Sequence, residues 1–217
     1  MTLRTEWLGR VPYAAALDLQ KLAVEDRLEG RMPDRLLLLE HTPVVTFGRG
    51  ARAENLRVSE SELQARGIDL HHVARGGDVT YHGPGQLVGY PIVDLAARDA
   101  RDVVAWLCLL ETSLIRALAG LGVAAAPAEG KTGVFVAGSR PLRKLASIGV
   151  GVKRWVTWHG FALNVSLDPR DFDVIVPCGL HDVEMSSVAQ ELGAAADPAL
   201  FDEVREAVAS AFERALP

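Results

Sequence analysis

Cysteine is scarce in this chain of 217 residues, in which only Cys108 and Cys178 occur. Two cysteines are too few for a disulfide framework or for a four-ligand zinc site in a chain of this size. The six histidines do not change this conclusion, because no H-E-x-x-H or paired C-x-x-C spacing is present. We therefore expect two reduced thiols and no metal.

The chain also lacks several other features that would define a class of protein. Its formal net charge is -5, whereas a general nucleic-acid binder carries a basic footprint. No apolar run approaches the length of a membrane span, and residues 1–19 lack a signal-type pattern. Neither G-x-x-x-x-G-K-S/T nor G-x-G-x-x-G occurs in the glycine-rich segment 76–85, so no ATP loop is indicated. We expect a cytoplasmic protein that binds neither nucleic acid nor membrane.

Hydrophobic residues make up 49% of the chain, which at this length is enough to bury one sizeable core. We therefore predict a single domain over residues 1–217. The main helices are predicted at 13–28, 102–118 and 199–216, with shorter ones at 59–67 and 186–192. Strands are predicted at 35–40, 44–47, 70–73, 87–93, 132–136, 145–152 and 155–165. Because strands are grouped rather than alternating with helices, this order predicts an α+β fold.

The prediction also specifies the apolar faces of two helices and the position of one loop. In the first helix the apolar positions are Ala14, Leu17, Leu19, Leu22 and Val24. In the helix at 102–118 they include Val104 and Cys108. Cys108 is therefore expected in the core. The segment 75–85 contains four glycines and a proline, so it is predicted to be a shaped loop of the kind that often holds a site.

Cys178 is the first candidate for chemistry, because it stands between Pro177 and Gly179 on constrained backbone that a ligand can approach closely. The alternative is a small buried apolar residue, which cysteine often is.

Lys144 is the second candidate, since it is one of four lysines in a chain that otherwise uses arginine. An amine can exchange its proton, whereas a guanidinium stays charged. The alternative is a surface lysine whose stem lies along apolar neighbours. His82 and His159 could orient a substrate carbonyl or line an apolar slot, or serve as structural hydrogen-bond donors.

A long motif at residues 75–90, RGGDVTYHGPGQLVGY, closely resembles the signature of the lipoyl(octanoyl) transferase family. Four further segments resemble the same family in the same order. They are EHTPVVTFGR at 40–49, RKLASIG at 143–149, WHGFALNV at 158–165 and VPCGL at 176–180. The resemblance therefore extends over most of the chain.

The resemblance implies an octanoyltransferase that moves an octanoyl or lipoyl group from acyl carrier protein to a lysine of a lipoyl domain, with no cofactor. Its protein partners would be octanoyl-acyl carrier protein and the lipoyl domains of 2-oxoacid dehydrogenases and glycine cleavage H proteins. It also implies a fold like that of lipoate and biotin protein ligases, with a mixed, largely antiparallel sheet.

The same resemblance assigns roles to residues. Cys178 would be the acylated nucleophile and Lys144 its activating partner, acting either as a base or as a charge that stabilises the thiolate. The implied substrate-binding residues are Arg75, Gly76, Gly77, Asp78, Val79, Thr80, Tyr81, His82, Ser147, Ile148, Gly149, His159, Gly160, Phe161 and Ala162.

Two rival functions remain open at this point. One is an ATP-dependent lipoate or biotin ligase on the same scaffold, which an ATP requirement would reveal. The other is a non-catalytic module that binds lipoyl domains or acyl carriers without turnover.

The charge pattern supports one more hypothesis. Between Lys131 and Ser166 there is no Asp or Glu, whereas six basic residues occur there. We expect this basic segment, which includes Arg140 and Arg154, to steer acidic partners toward one entrance. The alternative is a set of strand edges kept basic to prevent edge pairing.

Overall fold

The computed structural model describes residues 2–176, 183–194 and 196–216. Cys178, the predicted nucleophile, lies outside the described residues. The helices are α1 (Tyr13–Leu28), α2 (Glu60–Ala65), α3 (Val103–Gly120), α4 (Val188–Leu192) and α5 (Pro198–Ala215). The strands are β1 (Arg4–Val11), β2 (Arg35–His41), β3 (Val44–Phe47), β4 (Asp69–His72), β5 (Val79–His82), β6 (Gln86–Ile92), β7 (Ala125–Ala128), β8 (Lys131–Val136), β9 (Leu142–Lys153), β10 (Val156–Asn164) and β11 (Val183–Met185).

The main sheet has the order β1-β2-β6-β10-β9-β8-β7, and β11 pairs with β9. The pairs β1–β2 and β9–β11 are parallel, and the other pairs of this sheet are antiparallel. A second, smaller sheet has the order β4-β3-β5. This mixed, largely antiparallel architecture with packed helices confirms the predicted α+β fold.

Strand alternation gives the main sheet two different faces. On one face, Leu38 of β2 belongs to the largest apolar cluster, together with Leu114 of α3 and Phe212 of α5. On the other face, Leu39 of β2 packs in a separate cluster with Ala16 of α1. Helix α1 therefore lies on the side of the main sheet that faces away from α3 and α5. The small sheet lies on the same side, because the ring of His82 in β5 stacks on that of Tyr13 in α1 at 6.3 Å.

The bounds of α1 are those predicted, but its buried face is not. Leu19 and Leu22 are 43% and 58% exposed, whereas Gln20 and Ala23 are almost fully buried. The apolar residues of this helix are spread around its circumference, so they do not define which side packs on the sheet.

Two expectations about α3 are wrong. Cys108 and Val104 are exposed rather than in the core. Leu110 and Leu114, on another side of the helix, form its buried face. In length and composition α3 also matches a membrane span, with a mean hydropathy of 1.6, so an apolar run of that length does exist. Core helices of soluble proteins meet the same criterion. Here α3 packs with α5 in the largest apolar cluster.

Candidate active site

A cavity of about 220 Å³ lies between the α1 side of the main sheet and β5. Twelve of the fifteen predicted substrate-binding residues line it, and so does Lys144. The twelve are Arg75, Gly77, Asp78, Thr80, His82, Ser147, Ile148, Gly149, His159, Gly160, Phe161 and Ala162. Three segments that are far apart in the sequence, at 75–82, 147–149 and 159–162, thus meet around one space.

Three predicted residues do not line the cavity, because they point elsewhere. Within β5, Thr80 and His82 face the cavity, whereas Val79 and Tyr81 belong to the apolar cluster of the small sheet. The backbone N–H of Gly76 donates to the carbonyl of Val150 at 2.9 Å. The prediction of a loop throughout 75–85 is also wrong, since β5 pairs with β3 along four residues.

Other residues line the cavity without having been predicted. Val88 and Tyr90 alternate on β6, so the two-residue period of that strand would have identified them. Tyr13 begins α1 and offers no comparable signal. Gly130 of the turn between β7 and β8 also lines it, as do Lys131 and Thr132 at the start of β8.

A β-bulge in β9 directs Lys144 into the cavity. Val134 lies opposite Ala146, but the next residue of β8 lies opposite Lys144, so β9 carries one extra residue there. Leu145 and Ala146 therefore both pack in the main core, and Lys144 shares the cavity face with Ser147. Its side chain is buried, and Nζ donates to the carbonyl of Thr132 at 3.2 Å.

Arg75 is a buried cation in the cavity wall. Its Nη2 donates to the carbonyl of Thr46 at 2.7 Å and to the Thr46 hydroxyl at 2.8 Å, and its Nη1 donates to the Gly76 carbonyl at 3.1 Å. These bonds fix the guanidinium in place. Gly149 permits its approach, because a β-carbon there would lie 3.3 Å from Arg75 Cδ.

The histidines and tyrosines around the cavity are held uncharged. Burial lowers the pKa of His82 and of His159 to about 3 and that of His41 to about 4. Burial also raises the pKa of Tyr13 to about 12 and that of Tyr90 well above its ordinary value. At neutral pH these five rings are neutral, so this wall suits an uncharged ligand.

Two polar atoms of the wall have no hydrogen-bond partner among the described residues, the Thr80 hydroxyl and His159 Nε2. His159 adopts φ +53°, a strained conformation for a residue with a β-carbon, and its N–H donates to Oε1 of Gln20 at 2.8 Å. Buried polar atoms normally find partners. These two therefore mark places where a ligand or a water can bond.

Asp78 lines the cavity, but its carboxylate is used within the protein. It accepts from Asn55 Nδ2 at 2.5 Å, from the Val79 N–H at 2.7 Å and from the Arg52 N–H at 3.2 Å. The carbonyl of Asn55 in turn accepts from the N–H of Val176 at 2.8 Å. Asn55 therefore connects the cavity loop to the chain that leads to residue 178.

Comparison with known proteins identifies the family. Residues 12–213 match the lipoyl protein ligase A/B catalytic domain. An octanoyltransferase of Acidobacterium capsulatum is 46% identical over 99% of this chain and 90% of its own length. An octanoyltransferase of Solibacter usitatus is 48% identical over 95% of this chain and 90% of its own. This chain belongs to the lipoyl protein ligase A/B family. Relatives this similar over nearly the full length make it an acyltransferase that acts on octanoyl groups in lipoylation.

Solved structures of a lipoate protein ligase and of a biotin protein ligase share the fold. A lipoate-protein ligase A bound with ATP superposes with a TM-score of 0.76 at 18% identity, over all of this chain and 86% of the other. A biotin protein ligase of Leishmania major, in complex with biotinyl-5-AMP, gives 0.55 at 11% identity over 98% of this chain and 73% of the other. Both confirm the predicted ligase-like architecture.

The basic segment does not surround one entrance of this acyltransferase. Arg140 precedes β9 and Arg154 follows it, and a strand of 12 residues is roughly 36 Å long at about 3.3 Å per residue. Arg143 pairs with Glu191 at 2.9 Å, and Lys153 pairs with Glu25. Arg140 and Arg154 therefore lie at opposite ends of β9, and steering of acidic partners by this segment stays a prediction. Of its six basic residues, the partly buried Lys131 and the buried Lys144 line the cavity.

Proposed function

We propose that the chain transfers an octanoyl group from acyl carrier protein to a lysine of a lipoyl domain, through a thioester on Cys178. The observation that carries this proposal is the cavity, which combines apolar side chains and neutral rings with a buried lysine. The similarity to octanoyltransferases indicates that the acyl group is octanoyl, and the cavity is where we expect that group to bind.

The lining suits a medium-length acyl chain. The side chains of Val88 and Ala162 contribute apolar surface, and burial keeps the neighbouring histidines neutral. The cavity volume is about 220 Å³. A cavity of this size accommodates an acyl chain of several carbons and excludes a folded protein domain.

The described segments on either side of Cys178 support its role. Val176, two residues before it, bonds to Asn55 beside the cavity loop. After it, β11 pairs with β9 so that Met185 lies opposite Lys144. The described residues that precede and follow Cys178 thus both lie next to the cavity.

The reaction divides into two acyl transfers. In the first, the Cys178 thiolate attacks the thioester carbonyl, the octanoyl–sulfur bond of the carrier breaks, and the carrier thiolate leaves. In the second, a neutral lysine amine attacks the Cys178 thioester, an amide forms, the Cys178 thiolate leaves, and the amine loses one proton. Because a thioester is already activated, no step needs ATP.

Lys144 supports the first step as a fixed charge. Its Nζ bonds the Thr132 carbonyl and lies 5.4 Å from the centre of the Phe135 ring, and both contacts attract a positive charge. An ammonium held beside a thiol stabilises the thiolate. A neutral Lys144 that removes protons is the alternative, and the two are separated by experiment below.

The acceptor would be a lipoyl domain, as in a relative of the same fold. A bipartite lipoate protein ligase of Thermoplasma acidophilum, solved with its E2 lipoyl domain, has a TM-score of 0.74 at 18% identity, over all of this chain and 84% of the other. This likeness shows the fold, and the choice of acceptor is our extension of it.

Intact-protein mass spectrometry tests the proposal. Incubation with octanoyl-acyl carrier protein, without ATP, should add one octanoyl mass that hydroxylamine removes. Adding a lipoyl domain should then move that mass to the domain. The variant Cys178→Ala should form no adduct, whereas Cys108→Ser, which changes an exposed thiol on α3, should behave as the wild type. Transfer that occurs only with ATP and free octanoate would instead indicate a ligase.

A further inference from the structure

A chain of four hydrogen bonds leads from the cavity to the backbone of Lys144. His82 Nδ1 lies 2.7 Å from Gln86 Oε1, and Gln86 Nε2 lies 2.9 Å from Asn164 Oδ1. Asn164 Nδ2 lies 2.9 Å from the carbonyl oxygen of Ser186, whose N–H donates to the carbonyl of Lys144 at 2.9 Å. The three side chains in this chain of bonds are buried, and so is Ser186.

The carbonyl oxygen of Ser186 determines which group donates and which accepts in each side-chain bond of this chain. A carbonyl oxygen only accepts, so the amide nitrogen of Asn164 must face Ser186 and its oxygen must face Gln86. Gln86 must then donate to Asn164, and it also donates to the Tyr81 carbonyl at 3.4 Å. Its oxygen is left for His82, so Nδ1 of His82 carries the hydrogen.

The other ring nitrogen of His82 is consequently bare. Burial, with His41 as the next contribution, lowers the pKa of His82 to about 3, so the ring is neutral and holds one hydrogen. That hydrogen is on Nδ1. His82 lines the cavity, and no described residue bonds to its Nε2. The cavity therefore meets a nitrogen lone pair.

A separate chain of hydrogen bonds determines where the hydroxyl hydrogen of Tyr90 points. His41 Nδ1 lies 2.8 Å from the carbonyl of Val11, so it must donate, and the bare His41 Nε2 accepts from the Tyr90 hydroxyl at 2.7 Å. The Tyr90 proton thus points to His41, and its oxygen lone pairs remain for the cavity. In two independent hydrogen-bond chains, each ending on a backbone carbonyl, the hydrogens of His82 and Tyr90 thus point away from the cavity.

We infer that Nε2 of His82 is the hydrogen-bond acceptor that orients the incoming primary amine, and that Gln86 and Asn164 are positioning residues that keep it an acceptor. An amine that donates N–H to His82 keeps its own lone pair free to attack a carbonyl. The opposite tautomer, with hydrogen on Nε2, would donate to that lone pair and block attack. The inference rests on the proposed function, because it concerns the second of the two transfers.

The position of His82 fits this role. Gln86 lies opposite Asn164 of β10, and the preceding residue Leu163 lies opposite Ala146 of β9. Gln86 is therefore near the level of Lys144 along the strands, two strand spacings or about 10 Å across the main sheet. His82, on β5 of the small sheet, is held beside Gln86 by their hydrogen bond and lines the same cavity as Lys144. An amine bonded to His82 would approach a thioester near Lys144 from the opposite wall.

The tautomer is measured directly by NMR of the protein labelled with ¹⁵N-histidine, with His82 assigned from the variant His82→Gln. We expect hydrogen on Nδ1 and a bare Nε2 in the wild type. Gln86→Met, which keeps the length of the side chain and removes its amide, should allow the Nε2–H tautomer to appear. A wild-type His82 with hydrogen on Nε2 would overturn the inference.

Single-turnover rates test the consequence. Gln86→Met and His82→Gln should slow transfer from the octanoyl-enzyme to the amine about tenfold, the effect of one hydrogen bond, and change adduct formation less than about twofold. His72→Gln, on the exposed strand β4, should change neither rate. Equal slowing of both steps would reduce Gln86 and His82 to a structural role.

The two measurements separate this inference from the function on which it rests. If no octanoyl adduct forms while His82 shows hydrogen on Nδ1, the proposed function and the amine role fail and the hydrogen-bond chain stands. If the adduct forms and passes to the amine at an unchanged rate in His82→Gln, the function stands and the role of His82 fails.

Discussion

The side chain of Lys144 lies against the α-carbon of Gly133. A β-carbon at Gly133 would be 2.8 Å from Lys144 Cε and 2.5 Å from the carbonyl oxygen of Ala146. Gly133 also has φ +132°, which L side chains rarely adopt. The neighbouring strand thus needs glycine at this position for the lysine to reach the cavity.

Gly133→Ala should therefore displace Lys144 and reduce octanoyl transfer, by about a hundredfold if the shift is near 1 Å. Gly138→Ala is the matched control, because φ is +68° there and nothing lies within 4 Å of an added β-carbon. Both variants strain the backbone, but only the first touches Lys144. Equal activity of the two would show that the contact is unimportant.

Much of the fold follows from periodicity, and the failures have physical causes. The bounds of α1 and β3 match the prediction at every residue, because Pro12 and Pro43 interrupt the chain next to them. The buried face of α1 was missed, since Leu19 and Leu22 are as apolar as the residues that pack. Strand β1 was missed because it is an edge strand whose side chains are only partly buried.

The site was predicted through the resemblance more than through residue patterns. Local sequence does not reveal the β-bulge that turns Lys144 away from Leu145, because bulges depend on the partner strand. Nor does it reveal that Asp78 bonds Asn55 instead of facing a ligand with a free carboxylate. The pairing of β10 with β9 and β6 brings the segments together, and that pairing is non-local.

The length of the acyl chain should depend on Ala162. This residue lines the cavity between Val88 of β6 and Ser147 of β9, directly opposite both. Ala162→Leu adds three carbons to the wall, so octanoyl should lose at least about tenfold in kcat/KM relative to butanoyl. Ala119→Leu, on the exposed side of α3, should leave the ratio unchanged. An unaltered octanoyl preference in Ala162→Leu would place the chain elsewhere.

Acid should destabilise the protein through the cavity histidines. Burial lowers the pKa of His41 to about 4 and those of His82 and His159 to about 3, from an ordinary value of 6.5. Between those values the unfolded chain binds protons that the folded chain does not. The free energy of unfolding should therefore fall as pH drops below 6.5, with a slope of up to about 1.4 kcal/mol per pH unit for each histidine.

Urea unfolding at pH 7, 6 and 5 measures this slope. His159→Gln removes one of the three groups, so its slope should be about a third smaller over the same range. A wild-type protein that is equally stable at pH 7 and pH 5 would mean that these rings are protonated in the folded state.

A buried carboxylate far from the cavity should matter for stability alone. The fully buried side chain of Asp34 accepts from Arg27 Nε at 2.7 Å and from Arg98 Nε at 2.6 Å. Asp34→Asn removes the buried charge that two partly buried guanidiniums share, while Arg27 keeps its contact with Asp94 at 3.6 Å, so unfolding should become easier by about 3 kcal/mol. Asp18→Asn removes an exposed partner of Lys21 and should cost less than about 1 kcal/mol. Activity per folded molecule should be unchanged in both, and a loss in Asp34→Asn would contradict a purely structural role.

The charge of Lys144 can be separated from its ability to exchange a proton. Lys144→Arg keeps the charge and removes the exchangeable amine, whereas Lys144→Met keeps neither. If a fixed charge stabilises the Cys178 thiolate, alkylation of Cys178 near pH 7 should stay fast in Lys144→Arg and slow by about tenfold or more in Lys144→Met. The measurement uses a Cys108→Ser background, because Cys108 is exposed and would react as well. Equal slowing in both variants would show that the neutral amine, acting as a base, is what Cys178 requires.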